Sequence, residues 1–396
     1  MTSKIIYLDS NDYSSMSEGE GSISEKNKEL RDRLLKIRSY GLHTFVFSGI
    51  HISEMAPISE SYSSLASQRT NLLELLCGRN CMISLDKLIK IELKSLTSNL
   101  PPEVLPLDKN GNWFPDLTEV ITPAQAIIDH KDLDHEFKSH NLSRKQRRYL
   151  KSQMLKGEKF RSDIESKMGE LDLKQILSQY PMRPQDAKIL KDFLFNNATT
   201  KQANEAFLES LRDPTWMMSW FTNHYEKLTT ISEWVRKPAK NLIENIKINL
   251  SDLKAISKNL TKEEGKTIKN KLTGKSWSEI KDNELIKLIN NIAPKLYPLA
   301  SPQTDALKIR KLCPGIATCL DTLLESFKIS LNDNGRTPMN SDFVDALHSM
   351  YAPYVSYFRA DRYMSNIISP IAASYDSKVF GTLRELVSFL ENENTK

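Results

Sequence analysis

Residues 341–368, SDFVDALHSMYAPYVSYFRADRYMSNII, decide how this chain folds. Phe343, Leu347, Met350 and Tyr351 recur at three- and four-residue steps just after Ser341, a residue type that caps helices, so a short helix is expected with Asp342 and Asp345 on one face. Pro353 cannot continue the hydrogen-bond ladder and ends it. The apolar run 354–358 then suits a buried strand, with Asp361 beyond its carboxyl end. Helix, strand, then an acid at the strand's carboxyl end is where open α/β sheets keep their ligands. Plainer roles compete: Asp342 as a helix cap, and Asp361 as a surface acid paired with Arg359 or Arg362.

The amino-terminal end carries the complementary pattern. Lys4-Ile-Ile-Tyr-Leu-Asp9 is a short apolar strand finishing on an acid, and a second run, Thr44-Phe-Val-Phe-Ser48, leads into Gly49-Ile-His-Ile-Ser-Glu54-Met. A charged helix at 25–39, with Leu30, Leu34, Leu35 and Ile37 on its apolar side, separates them, and a connection of that length implies parallel strands. Helices are also expected at 65–77 and 82–95, a loop at 10–24, and a last strand and helix at 378–390.

This order of acids, the first-strand Asp9, the helical Glu54, then Asp342 or Asp345 and the strand-end Asp361, resembles the PIN-like nuclease family. The resemblance covers residues 1–95 and 310–396. The closing motifs Asp-Ala-Leu-His, Tyr-Ala-Pro-Tyr and Arg-Ala-Asp-Arg look most like longer bacterial members. It implies an α/β fold, a PIN-like parallel sheet flanked by helices, with residues 96–309 as a large all-α insertion. One departure is Ser356, which stands in the strand where relatives often carry an acid.

Four converging carboxylates would repel one another and stay partly protonated unless a cation joined them. Hard oxygen ligands suit Mg2+ or Mn2+. The resemblance therefore implies a metal-dependent endoribonuclease in which Asp9, Glu54 and Asp342 hold the metal, Asp345 is the reserve for Asp342, and Asp361 orients the attacking water or a second ion. Ser10, Asn11 and Ser48 are candidate donors to these acids, and Arg359 and Arg362 could meet a scissile phosphate. Glu92 could reach the site or be surface charge. His51 and His348 read as structural histidines. The family also implies RNA as substrate, tRNA or another structured RNA among the choices, a toxin or defence role, and an inhibitory or activating protein partner. A homo-oligomer is open. A DNA nuclease and a catalytically silent scaffold are the alternatives.

The composition, with 39% hydrophobic and 27% charged residues, is that of an ordinary globular protein. No apolar run spans a bilayer and no signal-peptide layout opens the chain, so no membrane and a cytoplasmic location are expected. The four cysteines lack the usual zinc spacing, and Cys77 reads as a buried thiol. The net charge is +5, yet 143–161 and 236–275 each carry +7. Arg144, Lys145, Arg147, Arg148 and Lys151 in the first window are candidate phosphate contacts, against a solvated helix face as the bland reading. Two further clusters read as structural: the Asp and His residues at 129–140 as a polar loop, and Trp216, Trp220, Phe221 and Tyr225 as core instead of a base-stacking stripe.

Overall fold

The computed structural model describes residues 3–17, 23–57, 60–101, 105–115, 143–156, 159–160, 181–194, 198–223, 274–296, 305–330 and 340–394. The His and Asp residues at 129–140, Tyr225 and the basic window up to residue 273 lie outside them.

Eight short strands occur among the described residues, in chain order β1 Lys4–Tyr7, β2 His43–Val46, β3 Cys81–Met82, β4 Leu107–Asp108, β5 Leu155–Lys156, β6 Lys159–Phe160, β7 Tyr357–Arg359 and β8 Lys378–Phe380. The main sheet has the order β2-β1-β7-β8, and every pairing in it is parallel. Tyr7 lies opposite Val46 on one side and Phe358 on the other. Because side chains alternate along a strand, Ile5 and Tyr7 share a face with Val46 and Phe358, while Ile6 points the other way and is equally buried. Burial on both faces explains why β1 reads as an unbroken apolar run. A single parallel bridge, Phe47 to Cys81, places the start of β3 beside the end of β2.

Two groups of helices flank the sheet. Ser10–Met16, Glu25–Ser39, Ser63–Cys77 and Leu383–Asn394 pack with one another. Leu85–Ser98, Gly274–Leu296, Ala306–Leu312, Pro314–Ser330, Asn340–Ser349 and Arg362–Ala372 form the second group and share one apolar cluster with Tyr7, Val46 and Phe358. The chain divides into two compact units, Met1–Pro115 with Tyr225–Lys396, and Asp116–His224. Helices 274–296 and 306–312 thus belong with the sheet. The described part of Asp116–His224 contains the helices Arg144–Met154, Pro184–Leu194, Thr200–Leu211 and Pro214–Asn223, with the β5–β6 hairpin. Trp220 and Phe221 are buried there, and the Trp216 indole donates to the Pro181 carbonyl, 3.1 Å away.

Several local expectations change. The segment after Asp9 is the helix Ser10–Met16, formed because Asp9 and Asp12 make a reciprocal capping box and Tyr13 and Met16 are buried at a three-residue step. The stretch expected as a helix at 82–95 is strand β3 followed by the helix Leu85–Ser98. The closing helix starts at Asn340, and a tight 3-10 turn at Ala352–Tyr354 delays the strand to Tyr357–Arg359. No described helix is long and apolar enough to cross a membrane.

Candidate active site

The sheet has a topological switch point. From β1 the chain turns to β2 on one side, and β7 later fills the other, so the loops after β1 and β7 diverge around a crevice at their carboxyl ends. Asp9 and Asp361 occupy equivalent places there, each two residues past its strand and each capping the next helix. The Asp9 carboxylate accepts from Asn11 N–H at 2.8 Å, and that of Asp361 from Met364 N–H at 2.6 Å. Both carboxylates are only partly buried. The helix Gly49–Met55 after β2 brings Glu54 to the same end.

Glu54 is the best-anchored acid. Its Oε2 accepts from Ser10 Oγ at 2.5 Å and bonds His348 Nε2 at 2.8 Å. Burial alone would raise this carboxyl, but the neighbouring His348 and these bonds hold it down to about 2. The same pairing outweighs burial at His348 and raises its pKa above the ordinary value.

Behind His348 runs a buried chain of hydrogen bonds. His348 Nδ1 meets Tyr7 OH at 2.5 Å, Tyr7 OH meets Ser48 Oγ at 2.7 Å, and Ser48 Oγ lies 3.2 Å from His51 Nδ1. His51 Nε2 donates to the Leu8 carbonyl at 2.9 Å, which leaves Nδ1 as the acceptor for Ser48 N–H at 3.1 Å. Burial and the nearby His348 lower the His51 pKa to about 3, so this ring is neutral. The chain ties β1, the helix Gly49–Met55 and the helix Asn340–Ser349 into one register.

His348 also settles which way the closing helix faces. Asp345 stands one turn before it on the same face, partly exposed, and no hydrogen bond reaches its carboxylate among the described residues. Burial raises its pKa to about 7, and Asp9, Asp361 and Glu54 add to the rise while His348 opposes it. The field of all three other acids therefore converges on Asp345. Asp342 is buried, at 2% exposure.

Beside Asp9 lies a second pair. Asp12 accepts from Arg359 Nη2 at 3.0 Å, and Arg359 Nη1 donates to the Ala360 carbonyl. Burial nonetheless raises Asp12 to about 7 against the pull of Arg359. Asp9 is raised as well, by burial, despite Asn11 N–H, Arg359 and His348. Arg359 is thus committed to Asp12 inside the protein, whereas Arg362 is exposed.

The other expected residues fall as follows. Ser10 bonds Glu54 directly, Asn11 supports Asp9 through its backbone, and Ser48 belongs to the Tyr7–His51 chain. Ser356 precedes β7, and its hydroxyl accepts from Ile5 N–H at 3.2 Å, away from the strand's acidic end. Glu92 does not reach the site. It is fully buried and accepts from Gly315 N–H at 2.6 Å and Ile316 N–H at 2.9 Å, closing the amino end of the helix Pro314–Ser330. Sequence reasoning missed Tyr7 and Asp12. A tyrosine in an otherwise aliphatic strand was the available signal for the first, and the capping-box spacing from Asp9 for the second.

All four cysteines are buried free thiols. As placed, no three His, Cys, Asp or Glu side chains among the described residues are grouped to hold a metal ion. Asp9 and Asp361 are turned toward the helices they cap, and Glu54 toward Ser10 and His348. The donor chemistry still suits a hard divalent cation: four partly exposed carboxylates, of which Asp345 is repelled by the other three and accepts no hydrogen bond among the described residues. Comparison of the chain with protein-family models, curated proteins and solved structures finds no match.

Proposed function

We propose that this chain is a metal-dependent ribonuclease of PIN-like type, with Asp9, Glu54, Asp345 and Asp361 holding Mg2+ or Mn2+. The observation that carries the reading is the place of Asp345, one turn from His348 at the switch point, with no hydrogen bond to its carboxylate among the described residues and with burial and the three other acids pushing it up to about 7. Repulsion of that kind is relieved by a bound cation. Asp345 replaces Asp342 as the third acid in this reading, because it shares a face with His348 and hence with Glu54.

When bound, the cation supplies a Lewis acid and lowers the pKa of water for in-line attack on a phosphodiester. The chain's own residues do the rest. Ser10 and His348 fix the orientation of Glu54, the buried Tyr7–Ser48–His51 chain holds His348 in place, and the helix that Asp361 caps fixes that carboxylate. Arg359, locked onto Asp12, contributes a fixed positive charge beside Asp9, and the exposed Arg362 is the side chain available to a phosphate.

The test is cleavage of total cellular RNA and, separately, single-stranded DNA, with Mn2+ or with EDTA, by the wild type, Asp9→Asn and Asp361→Asn. Metal-dependent cutting of RNA that both substitutions abolish supports the reading. Cutting confined to DNA replaces it with a deoxyribonuclease, and cutting of neither polymer leaves a silent scaffold.

A further inference from the structure

The helix Arg144–Met154 buries none of its residues, and its sequence, RKQRRYLKSQM, has five cations and no acid. Ser143 and Gln146 cap it reciprocally, with Ser143 N–H donating to Gln146 Oε1 at 2.9 Å and Gln146 N–H to Ser143 Oγ at 3.3 Å, so the helix has a built start. At 100° per residue, Arg144, Arg147, Arg148 and Lys151 form one stripe about 10 Å long. Lys145 and Tyr149, one turn apart, stand together beside it. Tyr149 is 64% exposed, a large aromatic presented to solvent among cations. No acidic side chain pairs with Arg144, Lys145, Arg147 or Arg148 among the described residues, and Nε of Arg147 is enclosed without a hydrogen-bond partner.

A solvated helix gains nothing from concentrating cations on one stripe, since they repel one another. A polyanion removes that cost. The aromatic beside the stripe narrows the choice: duplex bases are already stacked, whereas an unpaired base can lie on a tyrosine face. The aromatic segment Trp216–Phe221 of the same unit cannot serve, because Trp220 and Phe221 are buried.

We propose that the helix Arg144–Met154 is a binding site for an unpaired nucleic-acid strand, with Arg144, Lys145 and Arg148 on its phosphates and Tyr149 stacked on a base. This deepens the nuclease reading by naming the strand the enzyme holds, and rests on it to that extent. Binding is nevertheless measured apart from cleavage.

The experiment uses the full chain carrying Asp9→Asn, so that no strand is cut, and fluorescence anisotropy with labelled single-stranded RNA, single-stranded DNA and duplex RNA over a range of salt. Single strands are expected to bind more tightly than duplex. Tyr149→Ala should weaken them about tenfold without changing the salt slope, and Tyr149→Phe should restore them, since stacking needs only the ring. Replacing Arg144, Lys145 and Arg148 by Gln should reduce the salt slope by about 2. Equal affinity for duplex, strand affinity unaffected by Tyr149→Ala, or no binding of any of the three probes would overturn the proposal. Tight strand binding by a wild type that cuts nothing would sink the nuclease reading alone, and a wild type that cuts RNA while Tyr149→Ala leaves strand affinity unchanged would sink this one alone.

Discussion

Glu92→Gln tests whether burial or a helix terminus governs a charge deep inside the sheet-bearing unit. The carboxyl is fully buried, which raises its pKa from 4.5 to about 7, although Tyr354 OH and the N–H groups of Ile316 and Gly315 all favour the ionised form. Between those two values the folded chain keeps a proton that the unfolded chain has released. Stability from this group is therefore fully present below pH 4.5 and is lost as pH rises through about 7. A displacement of that size corresponds to roughly 3 kcal/mol. Glutamine cannot titrate, so its variant lacks this slope, but its amide must face one of two N–H donors and carries a pH-independent penalty of about 1–3 kcal/mol. Thermal unfolding of wild type and variant from pH 4.5 to 8, with EDTA present, should thus show the wild type more stable at pH 4.5 and its advantage falling by roughly 3 kcal/mol, on the order of 6–12 °C in relative Tm, so that the difference vanishes or changes sign by pH 8. A gap that stays constant across this range would refute the reasoning. It would mean that Glu92 remains ionised, with the amino end of the helix Pro314–Ser330 outweighing burial.

Three other outcomes follow from the same geometry. A Cβ at Gly315 would lie 2.6 Å from Glu92 Oε1 and 2.7 Å from the Met350 carbonyl oxygen, so Gly315→Ala should lower stability by about 1–3 kcal/mol, read as a reduced urea midpoint. Asp345→Asn should slow RNA cleavage on the order of a hundredfold, while Asp342→Asn should leave the rate per folded molecule within a small factor of wild type; equal losses would reject Asp345 as the third acid. Ser10→Ala and His348→Asn should each cost about 10–100-fold in rate with the fold retained, because each removes one bond that orients Glu54.

The sheet was legible because burial on both faces forces β1 and β2 to read as apolar runs, and Asp9 marks where the first of them ends. The elements that escaped were those made by polar or tertiary contacts. Ser10–Met16 has few strong helix formers, and it exists because Asp9 and Asp12 satisfy its first N–H groups and Tyr13 reaches Cys77, 3.3 Å away. Cys81–Met82 resembles the start of the helix that follows, and it is tertiary pairing that makes it a strand: it runs antiparallel to β4, and Met82 N–H donates to the Phe47 carbonyl at 2.6 Å. Glu92 looked like one more acid near a site. What it answers is a helix start 223 residues later, a demand that no local pattern carries.

The acids themselves show where periodicity stops being informative. Three residues apart on a helix, Asp342 and Asp345 lie on neighbouring parts of one face, and the 3.6-residue repeat does not rank them. In the proposed site the ranking rests on His348, whose Nε2 reaches Glu54 across 294 residues of chain while Asp345, one turn before it, feels the charges of Asp9 and Asp361. In the sequence His348 is a lone histidine on an apolar face, most often a packed one. In the structure it is packed and hydrogen-bonded at both ring nitrogens, and those same bonds orient an acid. The plain structural reading and the functional one therefore describe a single contact: the buried Tyr7–Ser48–His51 chain that stabilises three elements against one another also sets the position of Glu54.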